Sequence, residues 1–210
     1  MVGMAVHRML AKSGMQVIVV AASARQSALL VEKCKWMLRK AGVQKVSGDG
    51  TNAHSVLLSN GSTIIGLPCS APTIRGFTAD LLVMDDAAYI PDIPDVVYAA
   101  ARPMLAATQG DLVVMSSAHE PIGFFWELMS QAPASGWVKR IVKGRDVPRF
   151  TAEFLAEERR ALGQEAFSRE YGCEFADVDS GVFQRPLVVK ALREDVTPLF
   201  ERNDSDRALP

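Results

Sequence analysis

The stretch Ile74-Arg75-Gly76-Phe77-Thr78-Ala79-Asp80-Leu81-Leu82-Val83-Met84-Asp85-Asp86-Ala87-Ala88-Tyr89-Ile90 decides how the chain is read. An arginine sits on a glycine turn, and an apolar run then ends in two aspartates. A short apolar run without polar alternation predicts a strand, here residues 80–84, buried on both faces. Asp85 and Asp86 then emerge together at its carboxyl end, the edge where open α/β sheets bind ligands. A local reading competes with this one. An aspartate ahead of Ala87-Ala88 is also a good helix N-cap, and acids after apolar runs recur in α/β proteins.

The flanking sequence supplies context. A second apolar run, Leu112 to Met115, ends in Ser116-Ser117-Ala118, so two buried strands end in small or acidic polar groups at similar depth. Upstream, residues 2–12 have helical spacing and are closed by Gly14. Val17 to Ala22 reads as a strand, and residues 26–41 as an amphipathic helix ended by Gly42. Ser55 to Leu58 and Ser62 to Leu67 flank Asn60-Gly61, a strong hairpin signal. Further elements are predicted as a helix near 94–107, a strand at 111–115, a helix near 121–131 and a strand at 137–142. After Pro148 a helix follows, with Thr151 as N-cap, Phe154, Leu155 and Leu162 on its buried side, and Gly163 closing it. Alternating strands and helices imply an α/β fold with a mostly parallel sheet covered on both faces. From about Asp177 the composition turns to Asp, Ser, Gly and Pro, which predicts a linker or tail over 177–210 after a domain spanning 1–176.

Bulk properties exclude little but constrain the site. The 210 residues are 49% hydrophobic and 22% charged, enough for one sizeable core. A net charge of −1 gives no global attraction to nucleic acid, so any such contact must come from a local patch. Lys139, Arg140, Lys143, Arg145 and Arg149 form the one basic concentration, diluted by Asp146; it reads as a solvated face or as phosphate contacts. Cys34, Cys69 and Cys173 are odd in number and far apart, against a disulfide framework or a cysteine metal site. His7, His54 and His119 lack metal-ligand spacing and read as surface or loop residues. No apolar stretch reaches the roughly 20 residues that span a bilayer, and no signal-peptide pattern is present, which predicts a cytoplasmic protein with no membrane partner.

Paired acids at a strand end match the nucleotide-hydrolysing P-loop NTPases, in which one acid holds Mg²⁺ (Walker B) and its neighbour orients or deprotonates the attacking water. Asp85 takes the first role and Asp86 the second. Such a site also needs G-x-x-x-x-G-K-[ST], because amides must surround the phosphates and a lysine must reach them. No segment of this sequence carries that pattern. Lys12-Ser13 is a decoy at the end of a helix rather than its start, where a cation faces the negative pole of the dipole.

Several collinear blocks together resemble the ATPase domain of the large subunit of phage terminases, the ATP-driven motors that package viral DNA. They are Ala21 to Ser27, Thr73 to Ile90, Arg102 to Leu105, Ser116 to Ala118, Gly123 to Phe125, Glu153 to Arg160 and Glu170 to Phe175. The resemblance implies a P-loop NTPase-like, RecA-like fold lacking the first strand and the P-loop, since the family's phosphate loop stands just upstream of a helix like 2–12. It implies ATP and Mg²⁺ as cofactors, held poorly without that loop, with Asp85 as the indirect Mg²⁺ partner and Ser116 and Ser117 resembling the coupling motif that senses the γ-phosphate. Arg75 resembles an arginine that reaches a neighbouring subunit's nucleotide, which requires a homo-oligomeric ring; as a plain residue it is a loop arginine. Arg25-Gln26 resembles the stretch after the second strand and receives no assigned role.

Asp86 departs from the family's usual glutamate. The lost methylene withdraws the carboxylate by roughly 1.5 Å, and errors of about 1 Å can cost about a hundredfold in rate. The family's nuclease domain follows a segment like Ser180 to Phe183, but Asp204 and Asp206 lie in a polar run and do not replace its acids. The implied partners are double-stranded DNA, a portal protein and a small terminase subunit, in the host cytoplasm. The expectation is therefore a partial terminase ATPase module, inactive alone. The alternatives are a non-catalytic interaction module, one piece of a split terminase, or another P-loop ATPase such as a helicase.

Overall fold

The computed structural model describes residues 1–43, 54–70, 74–90, 94–130 and 136–175, with side chains of 94–98 and 101 excepted. The expected tail over 177–210, with Asp204 and Asp206, lies outside the described residues. So does Thr73 of the resembling blocks.

A five-stranded sheet organises the chain, in the order β2-β3-β1-β4-β5. The strands are β1 (Gln16–Ala21), β2 (Ser55–Leu57), β3 (Thr63–Pro68), β4 (Leu81–Met84) and β5 (Asp111–Val114). β1 pairs in parallel with β3 and β4, with Val17 opposite Leu81 and Val20 opposite Met84, and β4 pairs in parallel with β5. Only β2 is antiparallel, joined to β3 by the expected hairpin. Its turn is a three-residue loop: Gly61 N–H donates to the Leu58 carbonyl at 3.0 Å, and Gly61 adopts φ +79. The Asn60 amide also donates to the Met9 carbonyl at 2.7 Å, fastening the turn to the end of α1 (Val2–Ala11).

Alternation along the buried strands sends side chains to two separate cores. Ile18, Val20, Leu82 and Met84 face one side, where they pack with Met104, Phe124 and Phe125 of α3 (Pro94–Ala106) and α4 (Gly123–Ser130). Val17, Val19, Leu81 and Val83 face the other, against α1 and against Leu30, Val31 and Cys34 of α2 (Ala24–Lys40). Burying one such side chain contributes roughly 1.5–3 kcal/mol, so β1 and β4 hold the layers together. Cys34 behaves as a small hydrophobe, its thiol pushed up to about 11 by burial.

The α2 layer approaches the sheet closely over Gly66. A Cβ built there would lie 2.9 Å from the Ser27 carbonyl oxygen and 2.9 Å from Val31 Cγ2. Glycine at this position is therefore a packing requirement. Ser23 starts α2 as its N-cap, accepting the Gln26 N–H at 3.3 Å.

Two sequence expectations fail in the C-terminal third. Residues 137–142 form no strand but an irregular segment in which Val138 is 91% and Ile141 56% exposed. A β-branched pattern alone does not make a strand, which must also pair, and this segment pairs with no strand of the sheet. The second is the buried side of α5 (Ala152–Glu170), a span in which Gly163 does close the first helical stretch as expected: it is non-helical (φ 78, ψ 166), and two helices meet there at a kink. Phe154 and Leu162 are 36% and 43% exposed, so the expected buried side is wrong, and Phe167 is the buried residue of this helix. An aromatic cluster anchors it: Phe167 and Tyr171 stack with centroids 5.2 Å apart, and Phe150 meets Tyr171 edge-on at 5.8 Å. The predicted N-cap does hold, since Thr151 Oγ1 accepts the Phe154 N–H at 3.1 Å.

Replacing Gly66 with alanine forces α2 off β3 and should destabilise the fold by about 1–3 kcal/mol. Thermal or urea unfolding checks this, and an unchanged midpoint would show that the layer can shift without loss.

Candidate functional site

β4 ends between β1 and β5, and its last residues are fixed from both sides. Asp85 N–H donates to the Val20 carbonyl at 2.8 Å, and Met115 N–H donates to the Met84 carbonyl at 3.0 Å. The chain then turns sharply. Asp86 adopts φ 51 and ψ 40, a left-handed conformation that costs a non-glycine residue roughly 1 kcal/mol and that aspartate tolerates better than most. A short 3-10 turn, Ala87–Tyr89, follows, and its Tyr89 N–H donates to the Asp86 carbonyl at 2.8 Å.

The Asp86 side chain caps nothing. Its Oδ2 instead accepts Gln26 Nε2 at 3.2 Å, across from the first turn of α2. Ser23 Oγ lies 2.9 Å from Gln26 Oε1 and donates to it, which leaves the Gln26 amide nitrogen directed at Asp86. The helix-cap reading of this aspartate is thus replaced by a side-chain contact.

Asp85 is half-buried, and its carboxyl is raised above the ordinary range, chiefly by burial and next by the charge of Asp86. The Asp86 N–H, Lys33 and the amino terminus oppose the shift but do not cancel it. Two adjacent carboxylates, one of them desolvated, form a place where a cation is favoured.

The serine loop after β5 closes onto the same turn. Ala87 N–H donates to the Met115 carbonyl at 3.1 Å, and Ala88 N–H donates to Ser116 Oγ at 3.2 Å. Ser117 Oγ donates to Tyr89 Oη at 3.2 Å, while Tyr89 Oη lies 3.4 Å from the Ala118 carbonyl and 3.4 Å from Glu170 Oε1. His119 stacks on Tyr89 with ring centroids 4.4 Å apart, and its Nδ1 is buried without a hydrogen-bond partner among the described residues. The turn therefore joins β4, β5 and the far end of α5.

Asp85, Asp86, Ser116 and Ser117 are thus brought together. Arg75 is not among them: it lies exposed beside Gly76 (φ +90), beyond the end of β3, with no ion pair among the described residues. Lys12 caps α1 at the opposite edge, 3.9 Å from Asp80, whose other oxygen accepts the Gln16 N–H at 2.8 Å. It stands at the amino ends of the strands, away from the acids. Sequence reasoning left Gln26, Tyr89, His119 and Glu170 without a role. For Gln26 a signal existed, since Ser23-x-x-Gln26 fits a capping box and so fixes the glutamine in the first helical turn at this edge. For the Tyr89–His119 stack no sequence signal existed.

Among the described residues no cluster of three or more His, Cys, Asp or Glu could hold a metal ion by itself. That donor set still fits Mg²⁺, which keeps much of its water and is held through one or two carboxylates together with substrate phosphates. Asp85 and Asp86 fit a cation that arrives with its ligand.

No family model matches the sequence, and no curated protein matches it. Solved structures do match the fold. The ATPase domain of the large terminase of Thermus phage P74-26 aligns with a TM-score of 0.64 and 21% identity, over 82% of this chain and 81% of that one. An arginine-to-alanine mutant of that domain aligns with 0.62. The large terminase of a second, thermophilic bacteriophage, in complex with ADP, aligns with 0.65 and 11% identity, over 82% of this chain but only 44% of that one.

The raised Asp85 carboxyl gives a stability test. Ionising it opposes folding at neutral pH, and that penalty fades as pH falls through the raised value towards the ordinary one. Asp85→Asn should therefore raise the melting temperature at pH 7, and the gain should vanish in acid. An equal gain at both pH values would remove the electrostatic explanation. At 11% and 21% identity these likenesses establish architecture, and the chain has the fold of the large-terminase ATPase domain, with Asp85 and Asp86 at the carboxyl edge of its parallel sheet.

Proposed function

We propose that this chain is the partial ATPase module of a viral DNA-packaging motor, carrying the acid side of a nucleotide site whose phosphate loop must be supplied from outside these residues. The observation that carries the reading is the acid turn on this fold: Asp85 and Asp86 at the end of β4, tied to Gln26 and to the Ser116–Ser117 loop.

Asp85 would hold Mg²⁺ indirectly, through its water ligands, and the cation would neutralise phosphate charge. Cation binding beside Asp85 also relieves the electrostatic penalty that the two acids impose on each other. Asp86 would orient the attacking water and accept its proton, with Gln26 Nε2 fixing the carboxylate. Ser116 and Ser117 would report the loss of a γ-phosphate, because their hydroxyls already bond the backbone and the tyrosine of the acid turn. Arg75 would serve a neighbouring subunit in a homo-oligomeric ring, consistent with its exposed place outside the local cluster. Double-stranded DNA, a portal protein and a small terminase subunit are the partners of such a module in a host cytoplasm. No helix among the described residues is long and apolar enough to cross a membrane.

β5 favours a second reading, a non-catalytic interaction module or one piece of a split motor. It is a parallel strand at the edge of the sheet, with Leu112, Val113 and Val114 only half-buried. Among the described residues no strand pairs with its outer side; parallel strands are normally covered on both sides, and an open edge invites pairing.

Calorimetry separates these readings. The chain alone should bind Mg–ATP no more tightly than about millimolar, since the interactions worth most to a phosphate are missing. Fused behind a strand and a G-x-x-x-x-G-K-T loop, it should gain Mg²⁺-dependent ATP binding that Asp85→Ala abolishes. Micromolar binding by the unfused chain would overturn the need for an outside loop. Failure of the folded fusion to bind would leave the interaction module.

A further inference from the structure

A groove of about 620 Å³ lies between the 143–145 segment and one face of α5. Lys143, Arg145, Arg159 and Arg160 line it, against a single carboxylate, Glu174. This concentration is unusual in a chain whose net charge is −1. Like charges gathered on one surface repel each other and lower stability unless a counter-charge meets them.

Nearby acids meet only two of the four. Glu174 engages Lys143 at 3.5 Å, and Asp146 lies 3.8 Å from Arg145. Arg159 and Arg160 have no carboxylate within ion-pair distance among the described residues, and both are exposed. Arg159 is nevertheless held in place, its guanidinium 4.7 Å from the centre of the Phe167 ring. A positioned cation without an acid partner suits an external anion.

The shape argues for several phosphates rather than one. The cations come from two separate segments, and Arg159 and Arg160 are exposed rather than gathered at a buried point. The aromatic groups argue against single strands, which bind by stacking bases on open ring faces. Phe167 is buried beneath Arg159 and stacks on Tyr171, and the Tyr171 hydroxyl donates to Glu158 at 2.9 Å. These rings are already used in packing, which leaves charge as the means of recognition.

We propose that this groove seats the phosphodiester backbone of duplex DNA, held by Lys143, Arg145, Arg159 and Arg160 without reading its bases. The choice of a duplex rests in part on the packaging-motor reading, whereas the phosphate site rests on the groove alone. Of the basic run at 139–149, the site takes only Lys143 and Arg145. The other two cations come from α5.

Fluorescence anisotropy of the full chain with a labelled duplex of random sequence, without nucleotide and over about 50 to 200 mM salt, tests the proposal. Arg159→Ala/Arg160→Ala should weaken binding about tenfold or more at low salt and reduce the slope of log K against log salt by about 2. Arg159→Lys/Arg160→Lys should keep most of that slope, which separates lost charge from lost folding. Arg39→Ala/Lys40→Ala, at the end of α2, should change little. The proposal is overturned if the wild-type chain does not bind duplex at about 50 mM salt, or if the alanine pair binds as wild type does. It is also overturned if a single strand of equal length binds more tightly, or if inorganic phosphate displaces the duplex at constant ionic strength. None of these outcomes touches the ATPase reading, which is measured by nucleotide binding.

Discussion

Everything in this chain hangs on β4, four apolar residues paired in parallel on both sides and buried on both faces. A strand so placed cannot slip by one residue without turning Leu82 and Met84 into the core occupied by Leu81 and Val83. That rigidity is transmitted to the residues that follow it. Asp85 is pinned to β1 through Val20, and Asp86 is forced into a left-handed turn that points the chain back beneath the serine loop. The acids owe their position to the sheet, since neither is held by a cap of its own.

The same placement creates a tension at the acid pair. Burial, and next the charge of Asp86, raises the proton affinity of Asp85, and the Asp86 N–H, Lys33 and the amino terminus do not cancel this. Structures tolerate such a pair where a cation or a proton resolves it. Gln26 satisfies one oxygen of Asp86 and Ser23 orients Gln26, so the second acid is held by a short relay from the N-cap of α2. The serines after β5 meanwhile bond the acid turn itself, which places Tyr89 and, through its hydroxyl, Glu170 of α5 in one hydrogen-bonded chain with that turn.

The inner sheet was legible because unbroken apolar runs such as Val17 to Ala21 and Leu81 to Met84 can only be satisfied by burial on both faces. The hairpin was legible because Asn60-Gly61 supplies the backbone that its turn requires. The C-terminal third was not. The segment 137–142 has strand-forming residues but pairs with no strand of the sheet, and the face of α5 is decided by an aromatic cluster drawn from residues 150, 154, 167 and 171, whose spacing follows no single helical stripe once Gly163 breaks it. At the site, residue identity revealed the acids and the serines. The contacts among them, Gln26 to Asp86 and Tyr89 to His119, join positions far apart in sequence and depend on the register of the sheet.

The central claim is that the acid pair is the hydrolytic half of a motor ATPase, weakened by the short side chain at its second position. Steady-state ATP turnover by the chain fused behind a strand and phosphate loop tests this most directly. Asp86→Glu should raise turnover roughly tenfold or more, because it restores the reach of the carboxylate, and Asp85→Ala should abolish it. Turnover that neither substitution changes would contradict the account.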